Sequence, residues 1–418
     1  MKLRNKKFLP SNFKTQKMDN IKFEVIKKIA ETKFKYRDLK GVSHLDSNSP
    51  PSVFIGSKLQ YPAVNVGILS PLEKDEAAWL YDNEEYWANQ NFQIGEVINL
   101  RNSLVNSRFQ AKVKDVRIKD RFLDSAKEIA MAAKPVDLEI ELKNRINIKF
   151  KEDRVIIPHG MSGEMKKARL TSNPLIPAKI DKVVNDDLKA SDAIEYLYKN
   201  NFSEYTLMKI LSVGVLGLKK NRRLVPTRWS IITTDDILGK KLIKEIKNYH
   251  WIENFELFVG GFMGNYYLIF LFPGVWSYEL FELYFPGSSW NLSKIMKAST
   301  DYEDYYGRKT YASNTAGGYY AARLPILEYL SKIKKQAGVL AIRLETPSYW
   351  ASLGVWVCRE SVKKTMNTRA ISFVDINEAL NSAKQISKVK LNFDCSEILA
   401  KSKLLKQLKT QESLMKWV

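Results

Sequence analysis

From Val136 to Leu142 apolar and acidic residues alternate one for one, which is the period of a strand with one buried face. A second alternating stretch covers 146–150, and Lys143-Asn144-Arg145 between the two suits a turn. Residues 52–56 and 64–69 are short apolar runs marked by glycine and read as buried strands, after a break at Ser49-Pro50-Pro51. Helical spacing is expected over 73–87 and 121–133, the second stopping before Pro135, and again over 188–199 and 203–213. Between these pairs, 157–163 and 171–177 are broken by Pro and Gly and predict an extended surface loop. Trp229-Ser230-Ile231-Ile232-Thr233 reads as a strand, with Asp235 and Asp236 as first-turn acids of a following helix. Aromatic strands fill 251–285, a helix is expected over 321–336, and 339–344 and 355–357 read as strands. From Glu397 onward the pattern is a Lys-rich helix or tail.

These elements predict an α+β fold of two mixed α/β lobes with antiparallel or mixed sheets and a flexible C-terminal peptide. The expected division is a basic region 1–48, an N-terminal domain 49–185, a C-terminal domain 186–400 and a tail 401–418. Ile21, Val25, Ile26 and Ile29 fit an amphipathic helix in the first region.

Composition sharpens this picture. The chain of 418 residues carries 67 Lys and Arg against 46 Asp and Glu, a formal charge of +21. A surplus of that size favours polyanions, nucleic acid first and anionic membrane second. Residues 1–40 alone hold 13 Lys and Arg against 4 acids, or 13 − 4 = +9. A hydrophobic fraction of 45% with 9 Trp, 20 Tyr and 19 Phe suffices for packed cores, so the chain is globular rather than disordered. No run of 18 uncharged apolar residues occurs, and the N-terminal charge lacks a following apolar stretch, so neither a membrane span nor a signal peptide is expected. Cys358 and Cys395 are the only cysteines, which suggests a reducing cytoplasm and excludes a cysteine-based zinc cluster.

The last eight residues, Gln411-Glu412-Ser413-Leu414-Met415-Lys416-Trp417-Val418, stand out from a polar tail. Leu414 and Trp417 are three apart and meet on one side of a tight turn, with Gln411 set apart as a hydrogen-bonding handle. The pattern resembles the PCNA-interacting peptide, or PIP box, through which repair proteins dock on the sliding clamp. Gln411, Leu414, Trp417 and Val418 are the expected clamp contacts.

Longer runs point the same way. Residues 49–56, 61–67, 219–231, 274–279 and 317–324 resemble the archaeal Nre DNA repair proteins, and the likeness covers most of 49–365 before reappearing at the tail. The resemblance implies DNA damage repair and clamp docking through the C-terminal motif. Family members often carry an N-terminal four-cysteine element, but this chain has no Cys before residue 358, so no metal is carried over and no cofactor is expected. DNA and PCNA are the expected partners, for a cytoplasmic, nucleoid-associated monomer.

Lys219, Lys220, Arg222 and Arg223 around Asn221 predict a hairpin whose tip contacts phosphates, and Arg228 beside Trp229 extends that surface. His159 suits a surface loop, and His44, His159 and His250 lie too far apart for metal-ligand spacing. Asp235 and Asp236 offer metal-binding carboxylates but are explained as helix-start acids. Glu279 and Glu282 lie among aromatic residues, where desolvation raises carboxyl pKa values. Gly307-Arg308-Lys309-Thr310 and Thr315-Ala316-Gly317-Gly318 precede a helix and offer a phosphate cradle, although without the ending of a Walker A loop. Two other readings follow: an enzyme acting on nucleic acid or a nucleotide with a pocket in 260–320, and a non-catalytic repair adaptor.

Overall fold

A computed structural model describes residues 42–56, 62–148, 157 and 161–415. The expected helix near Ile21–Ile29, His159, and the anchors Trp417 and Val418 lie outside the described residues.

The fold is α+β, with two mixed sheets in two compact units. The first unit runs to Lys241 and includes Ser352–Trp356. Its strands are β1 (His44–Ser49), β2 (Val53–Ile55), β3 (Ala63–Ser70), β4 (Val105–Lys112), β5 (Val136–Leu142), the short β6 (Asn147–Ile148) and β7 (Met161–Leu170). They order as β1-β5-β7-β4-β3-β2, with β6 against β7. Among the described strands of this unit, β4 and β7 pair in parallel and the other ladders are antiparallel. Its helices are α1 (Glu84–Asn89), α2 (Ile94–Asn102), α3 (Arg121–Met131), α4 (Ala178–Asn185), α5 (Ala190–Lys199) and α6 (Glu204–Ser212). The helix α7 (Thr227–Ile246) enters the second unit at Leu242.

Strands of the second unit are β8 (Phe255–Phe262), β9 (Asn265–Phe272), β10 (Ser277–Tyr284), β11 (Lys297–Glu303), β12 (Gly338–Glu345) and β13 (Ile371–Phe373). They order as β11-β10-β12-β9-β8-β13, and β10 and β12 are parallel. Its helices are α8 (Ala316–Lys332), α9 (Trp356–Met366), α10 (Ile376–Leu391), α11 (Ser396–Lys401) and α12 (Lys403–Met415).

Alternation along these strands separates two faces. Leu268, Phe270 and Phe272 of β9, Phe281 and Leu283 of β10, and Leu340, Ile342 and Leu344 of β12 pack with Leu391, Ile398, Leu399, Leu404 and Leu405 of α10 to α12. The residues between them, among them Tyr267, Glu282, Arg343 and Glu345, point to the other face and are buried too. That second face mixes buried apolar residues, Ile269, Leu271, Leu280 and Val339 among them, with this ionic group.

Four expectations are corrected here. Trp229-Ser230-Ile231-Ile232-Thr233 is not a strand but the start of α7, so Asp235 and Asp236 sit mid-helix. Asp235 is buried and Asp236 pairs with Lys240 at 2.6 Å, one turn on. The segment between the two Pro- and Gly-rich stretches is the ten-residue strand β7. Its buried positions Met161, Gly163, Met165 and Ala168 are small or flexible, which hides the alternation. Residues 355–357 contain the start of α9 rather than a strand. Finally, 73–87 is a 3₁₀ turn (Ala78–Asp82) followed by α1, because Asn83 interrupts the helix and caps the next one through Tyr86 N.

Candidate functional site

The basic segment 218–228 is no hairpin. Lys219–Asn221 form a single 3₁₀ turn, with the Asn221 amide donating to Leu218 O at 2.7 Å. The backbone is held from both sides: Lys219 N donates to Asp187 Oδ1 at 2.7 Å, Arg117 Nε to Arg222 O at 2.8 Å, and Leu224 N to Val113 O at 2.8 Å. Arg222 is half-buried, and its guanidinium donates to Gly217 O (2.9 Å), Val184 O (2.7 Å) and Asp186 O (3.2 Å). It therefore satisfies carbonyls left open at the end of α4. Burial lowers its pKa, opposed by Asp187. Lys219, Lys220 and Arg223 are exposed, Arg228 is half-buried, and Trp229 is 46% exposed. The structure thus splits the expected four cations into three that face solvent and one that holds the loop together.

Glu279 has a different job from the one its aromatic neighbours suggest. It is buried in β10 on the face toward α12. Oε2 accepts from Ser402 Oγ (2.6 Å) and Leu404 N (3.0 Å), and Oε1 from Lys403 N (3.0 Å). Ser402 Oγ in turn accepts from Leu405 N at 3.1 Å. The carboxylate and the serine together satisfy the first amides of α12 and place negative charge at the positive end of its dipole. Both Glu279 oxygens are engaged in fastening the C-terminal helix.

Glu282 lies on the opposite face. It accepts from Arg343 Nη1 (2.6 Å) and Tyr284 Oη (2.7 Å), and a Cβ on Gly318 of α8 would stand 2.4 Å from its Oε1. Arg343 also donates to Asn265 Oδ1 (2.9 and 2.6 Å) and Glu345 Oε2 (2.9 Å). Burial pushes the Glu345 carboxyl up, and Arg343 opposes that rise. Burial also pushes the Cys358 thiol up to about 11, so it is a thiol at neutral pH and a poor nucleophile. Nearby, Arg323 pairs with Glu303 at 2.8 Å, and Trp276 Nε1 donates to Glu303 at 3.2 Å. The charges of this buried layer are paired, while the buried Tyr319 Oη has no hydrogen-bond partner.

The amides just before α8 already serve one of the protein's own carboxylates. Asp301 Oδ2 accepts from Asn314 N (3.0 Å), Thr315 N (2.9 Å) and Thr315 Oγ1 (2.9 Å), and Asp301 pairs with Arg308 at 3.1 Å. His44 and His250 are exposed. Among the described residues no three His, Cys, Asp or Glu side chains gather as a metal site, and no helix is long and apolar enough to cross a membrane.

Sequence reasoning missed a second buried ionic group, in the first unit. Asp82 pairs with Arg101 and with Lys209 Nζ at 2.8 Å; the Asp82 and Arg101 side chains are buried and Lys209 is half-buried. Burial, reinforced by Asp82, pushes the carboxyl of Glu84 up to about 7. No spacing announces this group, because its members come from a 3₁₀ turn, α1, α2 and α6.

The family models for the archaeal Nre N-terminal and C-terminal regions match residues 19–291 and 303–417. The chain belongs to the archaeal Nre family. Among Nre relatives, DNA repair protein NreA of Archaeoglobus fulgidus is 40% identical over 84% of this chain and 88% of its own length. The protein of the same name from Haloferax volcanii is 40% identical over 75% and 76%, and DNA repair protein NreB of A. fulgidus is 34% identical over 86% and 88%. No solved structure matches this Nre chain.

Proposed function

We propose that this chain acts in DNA repair, binds DNA through basic surface segments, and is recruited by the sliding clamp PCNA through its final octet. The observation that carries the repair role is the 40% identity, over 84% of the chain, with a protein named for DNA repair. DNA contact is supported by the formal charge of +21 and by the exposed Lys219, Lys220 and Arg223 on a backbone pinned at both ends. Cations so arranged neutralise phosphates without reading sequence.

The clamp contact is supported by how α12 is fastened. Among the described side chains, Leu404, Leu405 and Leu408 pack α12 on its sheet, and Glu279 secures its first turn. The start of α12 is thus fastened by residues 402–408, ahead of the octet. Two apolar anchors contribute roughly 4 to 6 kcal/mol together, so a micromolar tether of about 8 kcal/mol also draws on the other contacts of the octet.

The test is calorimetric titration of the full chain with PCNA, compared with the chain lacking 411–418. Binding should disappear on truncation while the circular dichroism spectrum is kept. Equal binding by the truncated chain would show that the octet is not the contact.

A further inference from the structure

Tyr306 has the most exposed large apolar side chain among the described residues, at 88%. One exposed tyrosine is ordinary. The loop that carries it, between β11 and α8, is not loosely built. Asp304 Oδ1 accepts from Tyr306 N at 2.9 Å, and Gly307 N donates to Asp304 O at 2.9 Å, which closes a tight turn. Gly307 sits at φ +80°, where L side chains rarely go, with open space where a Cβ would stand. Arg308 ties the far side down, donating to Tyr302 O (2.9 Å) and Tyr311 O (3.2 Å) while pairing with Asp301. Lys247 holds the near side: its ammonium lies 4.1 Å from the Tyr305 ring centre and donates to Tyr305 O. The Tyr305 ring meets Tyr306 edge-on at 5.7 Å.

The backbone beneath Tyr306 is thus fixed from several directions while its ring meets solvent. Its exposed neighbours in the loop are Asp304, Tyr305, Lys309, Thr310 and Tyr311, aromatic and polar rather than aliphatic. Lys244 is exposed three residues before Lys247 on α7, on the same side of that helix. An aromatic face with lysines beside it matches a stacked base with its phosphates.

We propose that the 304–311 loop is a stacking platform for an unpaired base of single-stranded DNA, with Tyr306 as the stacking face and Lys309, Lys247 and Lys244 as phosphate contacts. This deepens the DNA-binding reading above and rests on it. Single strands are favoured because a duplex already covers both faces of each base. A ring whose backbone is already ordered loses little freedom on stacking.

The experiment is fluorescence anisotropy of the full chain with labelled oligothymidylate and with a labelled duplex, across a salt series. Tyr306→Ala should weaken single-strand binding about tenfold, within the range of one lost base stack, and leave duplex binding unchanged. The slope of log affinity against log salt should stay the same, because stacking releases no counterions. Tyr306→Phe should bind as the parent does. The double variant Lys244→Ala/Lys309→Ala should instead flatten the single-strand slope, by about 0.7 per lost phosphate contact. A Tyr306→Ala variant that binds oligothymidylate like the parent, while the parent binds DNA, overturns the platform alone. Equal losses on single strand and duplex overturn it as a base-stacking site. A parent chain that binds neither DNA overturns both this inference and the reading on which it rests.

Discussion

Removing the Glu279 carboxylate isolates the joint between the second sheet and the C-terminal helix. In Glu279→Ala, Ser402 Oγ, Lys403 N and Leu404 N lose their acceptor in a site with no solvent access to Glu279. Each stranded buried donor costs about 1 to 3 kcal/mol, and partial hydration of the helix start recovers some of that. A net loss of about 4 kcal/mol follows, including the small cavity left behind. Glu279→Gln keeps one acceptor oxygen but removes the charge at the helix start, for a loss of about 2 kcal/mol. Ser402→Ala strands only the Leu405 amide and should cost about 1 kcal/mol. The effect should be local. Hydrogen–deuterium exchange should quicken at the amides of residues 404–408 in the order Ala, Gln, parent, while amides of β3 and β4 keep their rates. Should the Glu279→Ala chain protect the α12 amides as well as the parent, the carboxylate is not what fastens the helix.

The basic segment separates affinity from stability. Lys219→Ala/Lys220→Ala/Arg223→Ala should fold normally and flatten the salt dependence of duplex binding, by up to about 0.9 per phosphate contact, as read from anisotropy. Arg222→Ala should instead lower the thermal midpoint, because the three carbonyls its guanidinium serves lose their donors. An unchanged salt slope in the triple variant would move the DNA contact elsewhere. Glu84 should make stability depend on pH. Its folded pKa of about 7 lies above the ordinary 4.5, so the folded state favours the protonated form. Its stabilising contribution is complete below about pH 4.5 and disappears as pH rises through 7. The difference is about 3 kcal/mol between those limits. Denaturant titrations from pH 5 to 8 should show that decline in the parent and its loss in Glu84→Gln; parallel curves would refute it.

Much of the strand content was legible because period two survives wherever the alternating residues are large. β5 reads plainly, and so do the aromatic strands β8 to β10 and the apolar β12. β7 was opaque because Gly163 and Ala168 occupy buried positions that a propensity reading scores as breaks or neutral. Residues 229–233 illustrate the opposite failure: a β-branched and aromatic run favours a strand locally, yet the twenty-residue α7 buries Ser230, Ile232, Thr234 and Asp235. Tertiary burial outweighs propensities worth less than about 1 kcal/mol per residue.

The cations were legible as residues, but not their division of labour. Nothing local to Arg222 reveals that Val184 O and Asp186 O await it, because those carbonyls end a helix some 36 to 38 positions earlier. Glu279 and Glu282 differ by three positions in one strand, and the sequence treats them alike. One faces the apolar helices and caps α12 at residues 402–404; the other faces Arg343 beneath Gly318.

The sequence by itself determined the α+β class, the net charge of +21 and the family, because these depend on composition and on order along the chain. Only the tertiary structure decided which charged groups remain at the surface. That choice is made by partners distant in sequence, and the desolvation of a charge is tolerable only where such a partner meets it.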